Sequence, residues 1–317
     1  MRVLLVRLDG IGDAAVCAPL IAALRDAGHE VGAAMSTRNA GLYAPGVLIA
    51  EHVLERIPWP EHGSTPETTA RAHAEIAAQR YDVALVASEE PEAYELARHA
   101  RTRVGFSTGW DRPLKSLWVL TRTTRRVRRP ARASAQTGHE VETIFRLGQG
   151  LVNESTPTRD ATRLCKLFVT PSTTDESRRR AGALLQAGPK WTVLGVPETV
   201  QREVAGAVRV FGGDVVCAPS DVAETERATG VEPVVFDSLH TWVRALDRAT
   251  RVLTVDTGAA HVAGMLGVPV VDVFPDDDFE AQVRRWHPWA SPYRAIRASA
   301  LASGGVAALS EALSDGF

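Results

Sequence analysis

Short aliphatic runs, too brief for helices, recur between stretches of helical spacing along this chain, and that alternation narrows the available folds more than any other feature. Val3–Leu8 is β-branched and aliphatic, closes on the glycine-bearing turn Asp9-Gly10-Ile11-Gly12-Asp13, and leads into helical spacing from Ala14 to Ala27. The apolar runs Glu30–Met35 and Val47–Leu54, the helical stretch Thr68–Gln79 and the strand Asp82–Ala87 continue the pattern. Strands alternating with helices imply a mostly parallel sheet covered on both faces.

After Gly105 the pattern weakens into an arginine-rich stretch. Helical spacing resumes over Glu140–Leu147, and the polar segment Asn153–Asp160 reads as a linker. The second half repeats the alternation with strands expected at Trp191–Val196, Asp214–Ala218, Pro233–Phe236, Val252–Val255 and Val268–Phe274, and a helix at His240–Ala249. A chain of 317 residues suits two domains, here 1–155 and 156–317. Two α/β domains in series are expected to leave a cleft, with ligands at the carboxyl ends of the strands.

Composition removes several classes. Apolar residues at 45% and charged residues at 23% exclude a disordered or fibrous chain. A net charge of -2 offers no general affinity for polyanions, and no nucleic-acid-binding module is present, so no nucleic-acid partner is expected. Cys17, Cys165 and Cys217 lack the spacing of a metal site and suit a reducing cytoplasm. The apolar start is interrupted by Arg2, Arg7 and Asp9, too early for a signal peptide or a membrane span, so a cytoplasmic protein is expected.

Two turns hold the candidate chemistry. Gly10-Ile11-Gly12-Asp13-Ala14-Ala15 matches the G-x-G-x-x-A dinucleotide fingerprint between a strand and a helix. Asp13, however, would place a carboxylate where amides should cradle a pyrophosphate. Ser36-Thr37-Arg38 at the end of the second strand suits a 2′-phosphate, which keeps an NADP-dependent oxidoreductase as an alternative. Asp13 reads equally as a base facing a cleft or as a helix cap. Asp256-Thr257-Gly258-Ala259-Ala260-His261 ends a strong strand and opens a helix, where amides, a hydroxyl and an imidazole can meet an anion. Its bland alternative is a capped helix with His261 packed in the first turn.

Together these segments resemble glycosyltransferase family 9, the family of the lipopolysaccharide heptosyltransferases. "LLVRLDGIGDAAVCAPLIAALR" (Leu4–Arg25) resembles the family's opening, and "VDTGAAHVAGMLGVPVVDVF" (Val255–Phe274) its Asp-Thr-Gly-x-x-His element. "RYDVALV" from Arg80, "RVGF" from Arg103 and "GHEVETIFRLGQ" from Gly138 are weaker echoes between them. The resemblance implies a GT-B fold, two Rossmann-like doubly wound domains facing a cleft. It implies an inverting, metal-independent transferase without cofactor, taking a sugar such as heptose from a nucleotide diphosphate to a saccharide or glycolipid acceptor. Asp13, in the Gly10/Gly12 loop, would be the base; Asp256 would touch the donor sugar, and Thr257, Gly258 and His261 its diphosphate. A protein that keeps the fold without catalysis is the other alternative.

The family's loop after the first strand of the second domain carries a phosphate-binding lysine in a Lys-x-Trp-Pro-like segment. With that strand placed at Trp191–Val196, the loop is Pro197–Arg202 and holds no lysine. Lys190 then precedes the strand, Arg202 is the substitute cation, and Asp221 or Glu224 is the ribose-binding carboxylate. A second register starts the domain at Leu164–Val169 and makes Thr173, Thr174 and Arg178 the phosphate loop. Finally, Arg122, Arg125, Arg126, Arg128, Arg129 and Arg132 form a cationic stretch. Its default reading is a solvated loop; the resemblance implies that Arg125 and Arg126 meet acceptor phosphates or an anionic membrane surface.

Overall fold

The computed structural model describes residues 1–57, 63–109, 112–129, 138–170, 182–307 and 309. The chain divides into two compact units, Met1–Thr158 and Arg159–Phe317. The first is built on strands β1 (Arg2–Arg7), β2 (Glu30–Ser36), β3 (Glu51–Leu54), β4 (Val83–Val86), β5 (Thr102–Ser107) and β6 (Arg125–Arg128). All neighbouring pairs are parallel, in the order β3-β2-β1-β4-β5-β6. This is the doubly wound order whose connectivity reverses between β1 and β4, the point at which such sheets bind ligands.

β1 shows why the order arises. Val3, Leu4, Leu5 and Val6 are all fully buried, as a central strand covered on both faces requires. Leu4 and Val6 pack with Ala84, Val86, Tyr94 and Ile76 in one apolar cluster. The helix expected from Ala14 to Ala27 is split into Ile11–Ala15 and Ala18–Asp26. Pro19 lies in the first turn of the second piece, where its missing N–H costs nothing.

The second unit carries β7 (Leu184–Gln186), β8 (Asp214–Val216), β9 (Val252–Val255), β10 (Val270–Phe274) and β11 (Tyr293–Arg297), again all parallel, in the order β11-β10-β9-β7-β8. A lone parallel bridge joins Val216 to Val234 beyond β8. Counting it as a vestigial strand, the unit repeats the winding of the first, with its reversal between β7 and β9.

Four expectations are corrected. Trp191–Val196 is not a strand: Lys190–Val193 is a helical turn following β7. Leu164–Val169 belongs to the helix Ala161–Cys165 and the turn after it, so the second register fails. Thr173, Thr174 and Arg178 lie outside the described residues, as does Arg132. Pro233–Phe236 is reduced to the single bridge at Val234. The arginine-rich stretch is not a loop but the helix Pro113–Arg122 followed by β6.

Candidate active-site residues in each unit

In the first unit the turn after β1 emerges at the reversal point, beside the end of β4. Arg7 is buried there, a charge directly after the buried aliphatic run Val3–Val6. Its guanidinium donates to the Asp13 carboxylate and to the carbonyl of Ala87, and lies 3.2 Å from the Asp9 carboxylate. Burial opposes the Arg7 charge, but Asp13 and then Asp9 outweigh it and raise the pKa.

Asp13 is the third residue of its helix, and Gly10 is the N-cap. One Asp13 oxygen therefore meets Arg7 while the other accepts the Gly10 N–H at 3.3 Å, and the side chain stays 34% exposed. A carboxylate fixed at both oxygens and open to solvent can still accept a proton on its remaining lone pairs. Its bond to Gly10 also occupies the amide that a dinucleotide would need, which weighs against the oxidoreductase alternative. Ser36 is spent as well: its hydroxyl donates to the Asp9 carbonyl at 3.3 Å, and its N–H donates to Asn39 at 2.9 Å.

The backbone under this turn is tied down. The Asn39 amide donates to the carbonyls of Arg7 and Asp9, each at 3.1 Å, and Ser88 accepts the Leu8 N–H at 2.8 Å while donating to the Asp9 carboxylate. Arg7 and Asp9 were not singled out from the sequence. A charged residue inside the buried run Val3–Leu8 is the signal that points to them.

In the second unit the loop after β7 is Ala187-Gly188-Pro189-Lys190. The Lys190 ammonium donates to the backbone carbonyl of Asp256 and lies 3.4 Å from its carboxylate. Lys190 thus follows the first strand of this unit, instead of preceding it as expected, and faces the end of β9 across the reversal point. Trp191 fixes the loop: its side chain is buried and its indole N–H donates to the Gln186 carbonyl at 3.0 Å.

Thr257 is the N-cap of the helix Gly258–Leu266, but its hydroxyl pairs with Thr254 at 2.9 Å instead of capping an amide. The helix start therefore keeps uncapped N–H groups and the positive end of its dipole. His261 is buried, with its Nε2 3.7 Å from the other Asp256 oxygen and its ring tilted against Trp286. Asp221 joins this group. Gly188 adopts φ +153°, and a Cβ there would sit 3.4 Å from the Asp221 carboxylate.

Other expected site residues lie elsewhere. Pro197–Arg202 is the start of the helix Glu198–Val210, not a phosphate loop. Arg202 projects from it, donating to the Arg227 carbonyl at 3.1 Å and lying 3.7 Å from Glu198. Glu224 is half-buried in the first turn of the helix Val222–Thr229, while Asp221 beneath it meets the Gly188 loop. Arg125 and Arg126 are exposed on β6. Arg129 is buried between Glu89 at 2.9 Å and Glu140 at 2.5 Å, so it is part of the interior and not of the cationic surface.

Asp272 on β10 was not anticipated. It is fully buried opposite Thr254, and neither carboxylate oxygen has a hydrogen-bond partner among the described residues. Burial and then repulsion from Asp256 push its pKa well up, with Lys190 pulling it partly back. Among the described residues no three His, Cys, Asp or Glu side chains are grouped to hold a metal ion. No described helix is long and apolar enough to cross a membrane.

No protein-family model and no curated protein sequence matches the chain. Solved structures do. The Escherichia coli heptosyltransferase WaaC with ADP-2-deoxy-2-fluoro heptose is 21% identical, covering 98% of this chain and 99% of that one, with a TM-score of 0.66. E. coli ADP-heptose lipopolysaccharide heptosyltransferase II is 16% identical over 93% and 90%, at 0.62. A family 9 glycosyltransferase from Veillonella parvula is 17% identical over 93% and 85%, at 0.63. At these identities the likeness is one of fold: two parallel-sheet α/β units of the GT-B kind.

Proposed function

We propose that the chain is a family 9 glycosyltransferase, inverting and metal-independent, that moves a sugar from a nucleoside diphosphate to a saccharide or glycolipid acceptor. The observation that carries this reading is Lys190 meeting Asp256 beside the uncapped helix start at Thr257 and Gly258. A lysine and unpaired helix amides converging at the carboxyl ends of two parallel strands suit a diphosphate. The WaaC structure with an ADP-heptose analogue supports a heptose donor as the first to try, and Asp221, after the second strand, supports a carboxylate on the ribose hydroxyls.

The chemistry is one displacement. Asp13 takes the proton of an acceptor hydroxyl as that oxygen bonds to the anomeric carbon. The bond from that carbon to the diphosphate oxygen breaks on the opposite face, which inverts the centre, and Lys190 with the helix amides holds the charge that leaves. A diphosphate drawing Lys190 away would free the Asp256 carboxylate for the donor sugar.

The test is calorimetry with ADP and UDP. Wild type should bind at least one nucleoside diphosphate, and Lys190→Ala should bind it roughly 10–100-fold more weakly, the worth of about one charge-assisted hydrogen bond. Absence of nucleoside diphosphate binding by the wild type would overturn the donor-site assignment. Gln201, within Pro197–Arg202, is buried and donates to the Val196 carbonyl at 2.9 Å, so a lysine there would disrupt the interior and could not serve the donor.

A further inference from the structure

Thr254 is the third residue of β9 and is wholly buried. A hydroxyl inside a parallel strand must find partners, because burying it without a hydrogen bond is costly. Asp272 stands opposite it in the ladder but takes no hydrogen bond from it. The Thr254 hydroxyl instead donates to the Val255 carbonyl at 2.9 Å and lies 2.9 Å from the Thr257 hydroxyl. With its single hydrogen given to Val255, it accepts the hydrogen of Thr257.

Thr257 has the extended backbone of an N-cap, and threonine is a residue type that caps well. Its hydroxyl caps nothing, since it is turned toward Thr254. Gly258 and Ala259, the first two residues of the helix, have N–H groups with no acceptor among the described residues. The helix start thus forgoes a stabilising bond that its own sequence could supply, and Thr254 is what withholds it.

We propose that Thr254 is a positioning residue for the donor site, holding the Thr257 side chain inward so that the helix amides stay open and the Thr257 hydroxyl stands ready for a phosphate oxygen. Two hydroxyl rotations complete the change. As a diphosphate arrives, Thr254 turns its hydrogen from the Val255 carbonyl to Thr257, and Thr257 turns its own from Thr254 to the ligand. No heavy atom of the pair has to move, so this part of the site is ordered before the ligand arrives. The effect on affinity rests on the donor site proposed above, whereas the hold of Thr254 on Thr257 does not.

The test is a double-mutant cycle followed by calorimetry with ADP and UDP, by thermal melting and by amide hydrogen exchange. Thr254→Val keeps the shape and removes the hydroxyl; it should weaken nucleoside diphosphate binding about 3–10-fold, the worth of about one neutral hydrogen bond. Thr254→Ser should bind as the wild type does. In a Thr257→Val background, Thr254→Val should add nothing, because its effect passes through the Thr257 hydroxyl. Without ligand, Thr254→Val should melt no lower than the wild type and exchange its Ala259 amide more slowly, as Thr257 turns to cap the helix. Unchanged affinity in Thr254→Val, or the same loss in both backgrounds, would overturn the proposal. So would a lower melting temperature with unchanged exchange at Ala259, the mark of a threonine that merely packs. A wild type that binds neither nucleotide would overturn the donor site and the service of Thr254 to it, and exchange at Ala259 would then show by itself whether Thr254 restrains Thr257.

Discussion

Asp13→Asn is expected to lower sugar transfer by roughly 10²–10⁴-fold while donor affinity stays at the wild-type level. Asparagine keeps the shape and can still accept from Gly10 or Arg7, so the turn after β1 remains in place. It loses the charge that Arg7 faces, and some stability should go with it, at most about 1.5–3 kcal/mol for a hydrogen bond to a charged group. Asp9, 3.2 Å from the same guanidinium, keeps Arg7 from being left without a carboxylate. The kinetic signature is a fall in kcat with an unchanged donor KM, as removal of an interaction made only in the transition state requires. Full turnover by Asp13→Asn under saturating substrates would return Asp13 to a role in starting the helix. Absence of turnover in the wild type, with nucleotide binding retained, would favour the non-catalytic alternative.

Asp272 gives the second large effect. Its folded pKa is raised above that of the unfolded chain, so the unfolded state releases the proton first as pH rises. Stability is therefore lost from about pH 4 upward, the ordinary carboxyl range, at about 1.4 kcal/mol per pH unit until the folded value is reached. Asp272→Asn removes this slope. Urea unfolding of both proteins across a pH series should show the wild type losing ground to the variant as pH increases. A difference independent of pH would mean that the buried carboxyl is not being held protonated. Because Lys190 draws the Asp272 pKa partly down, a nucleotide that engages Lys190 should carry the same slope on to higher pH.

The alternation of strands and helices was legible because central parallel strands are buried on both faces and read as short aliphatic runs. β1, β2, β4, β9 and β10 were all found within a residue or two of their bounds. Short strands misled. β7 has only three residues, and the next β-rich letters, Trp191-Thr192-Val193, drew the start of the strand seven places downstream. In the structure Pro189 precedes a helical turn there, and Trp191 is buried against Gln186, whose amide oxygen also accepts from Trp242 at 2.9 Å. That tertiary packing overrides the local preference, and no single-chain pattern reports it. The misplacement put Lys190 on the wrong side of its strand and made the loop after that strand look devoid of lysine. The turn Asp256-Thr257-Gly258 was found between its strand and helix because β9 is buried throughout and mostly aliphatic, and the helix after it begins on small residues. Arg129 was assigned to a solvated run because spacing cannot distinguish it from Arg128; only the acids around it do.

β6 has a further consequence. It is the last strand of its sheet, so among the described residues one row of its backbone groups has no neighbouring strand. Such a border invites a second molecule to add a strand of its own, the usual first step toward ordered aggregates. Arg125, Arg126 and Arg128 would then meet the same arginines of the incoming copy, which makes the addition unfavourable. The edge thus carries its own safeguard against polymerisation, and neutralising those arginines should be accompanied by slow, concentration-dependent gain of β-structure on storage, measurable by thioflavin fluorescence. Fluorescence that stays flat in the neutralised protein would show that the strand's shortness already closes that route.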